Sequence, residues 1–203
     1  MSANVSLKDR IAEAARKPGL QLPVFNPVAL EMQKLVNDPS VPSARIEATL
    51  QRDPALSAQV LRMANSSMYS GLSSITTLRQ ALTRVGAQQV LRLVLAAAQL
   101  SLYQSHHPLF KRHLGEMWKT AFASAMGAAW LANRSGHGEV AEQAFLAGLL
   151  HDVGKLVVLR TIEQLTFDHA FERPLPDAVA MEMIEALHCE FGYELMRRWN
   201  LPE

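Results

Sequence analysis

The sequence has a single cysteine, Cys189, so no internal disulfide can form. With no second thiol and no evident nucleophile setting, Cys189 reads as a packing residue or an incidental thiol. Long apolar runs are missing as well. The longest, from Val90 to Leu102, carries Arg92 and Gln99, which excludes a bilayer span. The N-terminus, Met-Ser-Ala-Asn-Val-Ser-Leu-Lys-Asp-Arg, lacks the apolar core of a signal peptide. Neither sign of charge is in excess. A net charge of +1 does not supply the basic footprint that nucleic-acid binding needs. Sustained apolar alternation is absent, so nothing reads as a strand. There is no internal repeat, low-complexity tract or flexible linker. The expectation is a soluble, cytoplasmic protein with neither a membrane nor a nucleic acid as partner.

What is present is helical patterning over 203 residues, 49% of them hydrophobic and 19% charged. Residues 2–19 read as a short amphipathic helix with Ile11, Ala14 and Ala15 inward, stopped by Pro18-Gly19. Asn26 is set to cap a helix that begins at Pro27 and runs to about Asn37. Ser43 is expected to cap the next, which reaches Gln51, and Asp53-Pro54 starts another with Leu56, Val60 and Leu61 on one face. Asn65 to Gly71 is a polar loop, in which Asn65 and Ser66 are suited to hydrogen bonds with neighbouring backbone. Thr76 or Thr77 begins a helix that Gly86 breaks. A long helix then runs from Ala87 to about Tyr103, with Arg79, Arg84 and Arg92 spaced as exposed decoration. His106 and His107 fall in a break and read as solvent-exposed. A helix from about Leu109 to Arg134 carries Trp118, Phe122, Met126 and Trp130 at four-residue spacing, a stripe that reads as core. The last helix begins at Asp177 and passes through Gly192. The fold class is all-α.

The stretch from Ala144 to Leu159 organises the rest. It is nearly all apolar at helical spacing, yet holds His151, Asp152 and Lys155 within five positions. It is expected to be one central, buried helix, and a charge buried there must be paired or bound to a metal. An adjacent His-Asp can converge on one divalent cation although consecutive helical side chains diverge by about 100°. Lys155 follows Asp152 by three positions and His151 by four, so it can equally pair with them. Both readings fit the residues.

Several motifs then coincide in order. They are Leu22-Pro23-Val24-Phe25, Asp53-Pro54-Ala55-Leu56-Ser57, Leu61-Arg62-Met63-Ala64-Asn65-Ser66, and Ile75 with Ala81-Leu82-Thr83-Arg84-Val85-Gly86. Trp118, the run from Ala144 through His151-Asp152-Val153-Gly154-Lys155, and His188 with Gly192, Leu195 and Trp199-Asn200-Leu201-Pro202 complete the set. Over roughly Leu20 to Glu203 the chain resembles the HDOD family, the HD-related output domain of bacterial signalling proteins. The resemblance implies a two-lobed multi-helix fold. Residues 1–19 would be a lead-in, 20–108 an N-terminal helical lobe, and 109–203 a lobe like an HD-type phosphohydrolase, whose C-terminus need not be complete.

It also implies a non-catalytic output or interaction module. An active HD hydrolase needs a His on an earlier helix, the His-Asp pair, and later His or Asp ligands. Here the earlier position falls at Thr120, which cannot replace an imidazole, and His113 is two turns away. His151, Asp152 and His188 are the only matching ligands, too few for the binuclear site usual in phosphodiester cleavage. The degenerate site is therefore His151, Asp152, Lys155, His188 and Thr120, with no catalytic residue, metal or other cofactor expected. If a metal bound, His151, Asp152 and His188 would hold it. The partner expected is a signalling protein: a receiver, a sensor or a cyclic-dinucleotide-linked protein. The alternatives are a residual metal-dependent phosphohydrolase and a nucleotide sensor without catalysis, for which Gly148 and Gly154 would let a ligand or another helix approach.

Overall fold

A computed structural model describes residues 6–17, 25–69, 74–105, 108–171 and 175–199, and among them there is no strand. The helices are α1 (Leu7–Arg16), α2 (Pro27–Val36), α3 (Ser43–Gln51), α4 (Pro54–Ala64), α5 (Leu78–Val85), α6 (Ala87–Leu100), α7 (Pro108–Arg134), α8 (Ala141–Leu150), α9 (Val153–Phe167) and α10 (Asp177–Trp199), with a 3₁₀ turn at Gly138–Val140. They form two compact units. One comprises Met1–Val24, Tyr103–Gly127 and Ala147–Glu203, the other Phe25–Leu102 and Ala128–Leu146. The chain leaves the second unit after Leu102, and residues 128–146 return to it. Pro18-Gly19, Leu22-Pro23-Val24, Ser70-Gly71, His106, His107 and Asn200-Leu201-Pro202 lie outside the described residues.

In the unit formed by Phe25–Leu102 and Ala128–Leu146, α2, α4 and α5 pack on α6. Helix α6 is buried from Val90 through Gln99, a pattern of a helix apolar on every side. Its neighbours are started by side chains. Asn26 Oδ1 accepts from the backbone N–H groups of Val28 and Ala29, and Asp53 Oδ1 from that of Leu56. Asn26 Nδ2 also donates to Asp53 Oδ2 at 2.8 Å, so the caps of α2 and α4 hold each other. Thr77 and Gln80 form a capping box at α5. Gly86, at φ +88°, ends α5 and turns the chain into α6, a conformation that favours glycine. Asn65 closes the loop after α4: its amide donates to the carbonyls of Leu61 and Ile75 and accepts from the Ile75 N–H.

Arg92 departs from the expected surface role. It is 8% exposed, its guanidinium donates to both oxygens of Glu142 at 2.7 and 3.2 Å, and it lies over the Phe145 ring. The apolar residues on each side of it in sequence bury the whole turn of α6, so the charge is matched from α8 instead of by water.

The other unit is centred on α9 and α10, with α1 packed on both. Ile11, Ala12 and Ala15 of α1 are buried, whereas Ala14 is only half-buried. Arg16 pairs with Glu190 and sits over the Phe191 ring. Ile184, Leu187, Phe191 and Leu195 form the buried stripe of α10, which runs unbroken through Gly192. The aromatic stripe of α7 is not the core that its spacing predicts. The buried positions are Phe110, Leu114, Ala121, Ala125, Ala129 and Ala132, while Trp118, Phe122 and Met126 are half-buried and Trp130 is 66% exposed. Small alanines permit the close approach that bulky rings forbid: a Cβ at Gly148 would lie 2.8 Å from Ala125 Cα. Trp118 and Phe122 stack on each other at 5.4 Å instead.

Candidate functional site

The stretch from Ala144 to Leu159 is two helices, not one. Helix α8 ends at Leu150, α9 begins at Val153, and His151 and Asp152 form the turn between them. Asp152 has φ −109° and ψ 12°, off the helical region, as suits an Asp at a helix start. The turn lifts the pair out of the apolar interior that the pattern predicts. The His151 side chain is 41% exposed and that of Asp152 20%.

Gly154 brings α10 against the start of α9. A Cβ there would fall 1.8 Å from the His188 carbonyl oxygen and 2.5 Å from the Gly192 nitrogen, so only glycine fits. At this spacing the side chains of α9 and α10 meet. Lys155 Nζ lies 3.1 Å from Asp152 Oδ2 and 2.7 Å from Glu185 Oε1. Burial alone would lower the Lys155 pKa, but its hydrogen bonds to Glu185 and Asp152 outweigh this and raise it above the ordinary lysine value. The ammonium is therefore charged throughout the neutral range.

The histidines flank this centre. His151 Nδ1 donates to the Gly148 carbonyl at 2.8 Å, which fixes its proton, and Nε2 lies 3.3 Å from Asp152 Oδ2. His188 Nδ1 donates to the Glu185 carbonyl at 2.8 Å and is 3.8 Å from Glu185 Oε2. The exposed Cys189 thiol lies 3.3 Å from His188 Nε2. Tyr103 is buried nearby with its hydroxyl unpartnered. Burial, and then the Asp152 charge, hold its phenol above the ordinary tyrosine range.

The structure thus joins four of the five site residues read from the sequence, His151, Asp152, Lys155 and His188, through Glu185. Thr120 is exposed on α7 and joins none of these contacts. His113, the alternative on α7, is 3.7 Å from Asp177. Glu185 was not among the expected residues. Its signal is its place three positions before His188, on the same face of α10. The room at Gly148 and Gly154 is filled by the backbones of α7 and α10, so neither glycine leaves space for a ligand.

Among the described residues no group of three or more His, Cys, Asp or Glu side chains is placed to hold one ion. The position between the two carboxylates is held by an ammonium. No helix of the described residues is long and apolar enough to cross a membrane.

An uncharacterised protein of Treponema pallidum is 26% identical over 98% of this chain. A Vibrio cholerae protein named cyclic di-GMP phosphodiesterase CdgJ is 29% identical over 78% of it. The chain spans only 37% and 34% of the lengths of these two relatives. A crystal structure from Shewanella amazonensis SB2B, named as a candidate metal-dependent phosphohydrolase, superposes with a TM-score of 0.72 at 23% identity. The match covers 97% of this chain and 70% of that one. The model of the HDOD domain matches residues 22–203, and the chain belongs to the HDOD family.

Proposed function

We propose that the chain is a non-catalytic output module of bacterial signal transduction, relaying a regulatory input to a partner protein. One observation carries the reading. Asp152, a carboxylate that a metal centre would need, is engaged by the Lys155 ammonium, which also reaches Glu185. The missing imidazole at Thr120 and the engagement of both His188 nitrogens support the same reading. The partner class is a signalling protein such as a receiver, a sensor or a cyclic-dinucleotide-linked protein. The test is turnover of cyclic di-GMP and of a generic phosphodiester by the purified chain with Mn²⁺ present. No product above buffer is expected.

The name of the Vibrio cholerae relative favours one second reading, a residual HD-type phosphodiesterase. Against it, most of that relative's length lies outside the match, so its named activity need not reside in the shared segment. Turnover at enzymatic rates, abolished in a folded His151→Ala variant, would establish this second reading and remove the first.

A further inference from the structure

We infer that α10 is a self-docking surface. Its outward face pairs antiparallel with the same face of a second copy of this chain, about a twofold axis beside Cys189. This inference goes beyond the proposed function and does not depend on it.

The inward stripe of α10 is Ile184, Leu187, Phe191 and Leu195. On the opposite side Glu182, Ala186, Cys189, Tyr193 and Arg197 follow one another at helical spacing, and all five are exposed. Between the two charges the face is Ala186, Cys189 and Tyr193, with Tyr193 66% exposed. Most charges of the helix are matched within the chain: Asp177 by Arg112, Glu185 by Lys155, and Glu190 and Glu194 by Arg16. On the outward face Glu182 meets no cation and Arg197 no carboxylate among the described residues, and Arg197 lies over the Tyr193 ring instead. Glu182 and Arg197 are fifteen residues apart, about 22 Å along the axis, so they cannot pair with each other in one chain.

A second copy supplies the missing partners. The midpoint of Glu182 and Arg197 lies between Cys189 and Glu190, and so does the midpoint of Ala186 and Tyr193. One twofold axis at that point therefore joins Glu182 to Arg197 of the second copy and seats Tyr193 on the small Ala186 of the second copy, each contact made twice. Glu190, beside the axis, is already paired with Arg16. A parallel pairing would set Glu182 on Glu182 and Arg197 on Arg197, so charge selects the antiparallel one. At the usual helix separation of about 8–10 Å, the two Cys189 Cα atoms would come within about 5–6 Å, a distance that a disulfide spans.

The experiment is sedimentation equilibrium of the full chain under reducing conditions, from about 1 µM to about 1 mM, the range in which a small interface associates. Wild type is expected to pass from monomer to dimer. Tyr193→Ala should weaken the dimer about a hundredfold. Glu182→Arg, which turns two attractions into repulsions, should weaken it about tenfold. Adding Arg197→Glu to Glu182→Arg reverses both ends of each pair and should restore much of the lost affinity. On oxidation by air with copper–phenanthroline, wild type should form a disulfide-linked dimer. Cys189→Ser should not, while it still dimerises in sedimentation. All these side chains are exposed, so the variants are expected to keep the wild-type circular dichroism and melt.

A wild type that stays monomeric across the range overturns the inference. So does a dimer indifferent to Tyr193→Ala and Glu182→Arg, which must form through another surface. A dimer that Glu182→Arg weakens but the double variant does not restore, or one that oxidation does not cross-link, puts the axis elsewhere and overturns the antiparallel pairing.

Discussion

Two glycines that face each other have unequal roles. Gly154 has no room for a methyl group: the His188 carbonyl oxygen and the Gly192 backbone occupy it. Gly154→Ala must push α10 off α9, and a loss of about 3 kcal/mol or more is expected in chemical denaturation. A Cβ at Gly192 would meet Gly154 at 3.4 and 3.5 Å, ordinary contact distances. Gly192→Ala is therefore expected to be neutral or to stabilise by up to about 1 kcal/mol through helix propensity. Equal losses in the two variants would mean that the crossing of α9 and α10 is misplaced. Sequence spacing picks out both glycines, but which one is in contact depends on how one helix is rotated against the other. Arg92 teaches the same lesson. Its position on a helix is legible, whereas its burial against Glu142 and Phe145 depends on where α8 lies.

At the scale of elements, the helix starts were the most legible part of the chain. Asn26-Pro27, Asp53-Pro54 and Thr77 stand where the sequence places them, because capping is a local matter of a side-chain acceptor and two or three backbone donors. Asp53 also accepts from Asn26, so its loss affects α2 and α4 together. Asp53→Ala is expected to cost about 1–2 kcal/mol in urea unfolding. The backbone N–H of Leu56, then the Asn26 amide, hold the Asp53 carboxyl below the ordinary aspartate range. The folded pKa lies below the unfolded one. The contribution is therefore fully present above the unfolded value and is lost as pH falls through the folded value. Asp53→Asn, which cannot ionise, should flatten that acid limb, and stability measured from pH 6 down to pH 2.5 checks it. The break at His151-Asp152 was not legible. Seven apolar residues at helical spacing continue across it, and the pattern is equally satisfied by two helices that share a core.

For the whole molecule, the boundary of the family match is not the boundary of the packed unit. The match begins at residue 22, yet α1 buries Ile11, Ala12 and Ala15 in the unit that holds the candidate site. Removing α1 would uncover the faces of α9 and α10 beneath it and break the Arg16–Glu190 pair. A chain beginning at residue 22 is expected to lose about 3 kcal/mol or more, mostly from Ile11, and its thermal melt beside the full chain would show it. An unchanged melt would make α1 an ornament and not part of the core.

Sequence alone determined the all-α class, the family, and the helix starts at Asn26-Pro27, Asp53-Pro54 and Thr77, whereas the cap expected from Ser43 is not made and Pro42 stands at that N-cap. The class, the family and those three starts follow from period, local capping chemistry and motif order, all of which are properties of neighbours along the chain. Tertiary structure decided the rest. It turned His151 and Asp152 out of the interior, buried Arg92, and left Trp130 exposed where alanines make the contact. It also brought Glu185 to Lys155 across the contact at Gly154. Each of those outcomes depends on the distance and rotation between helices far apart in sequence. Those quantities are set by the packing of side chains on both partners, which no single helix's pattern contains.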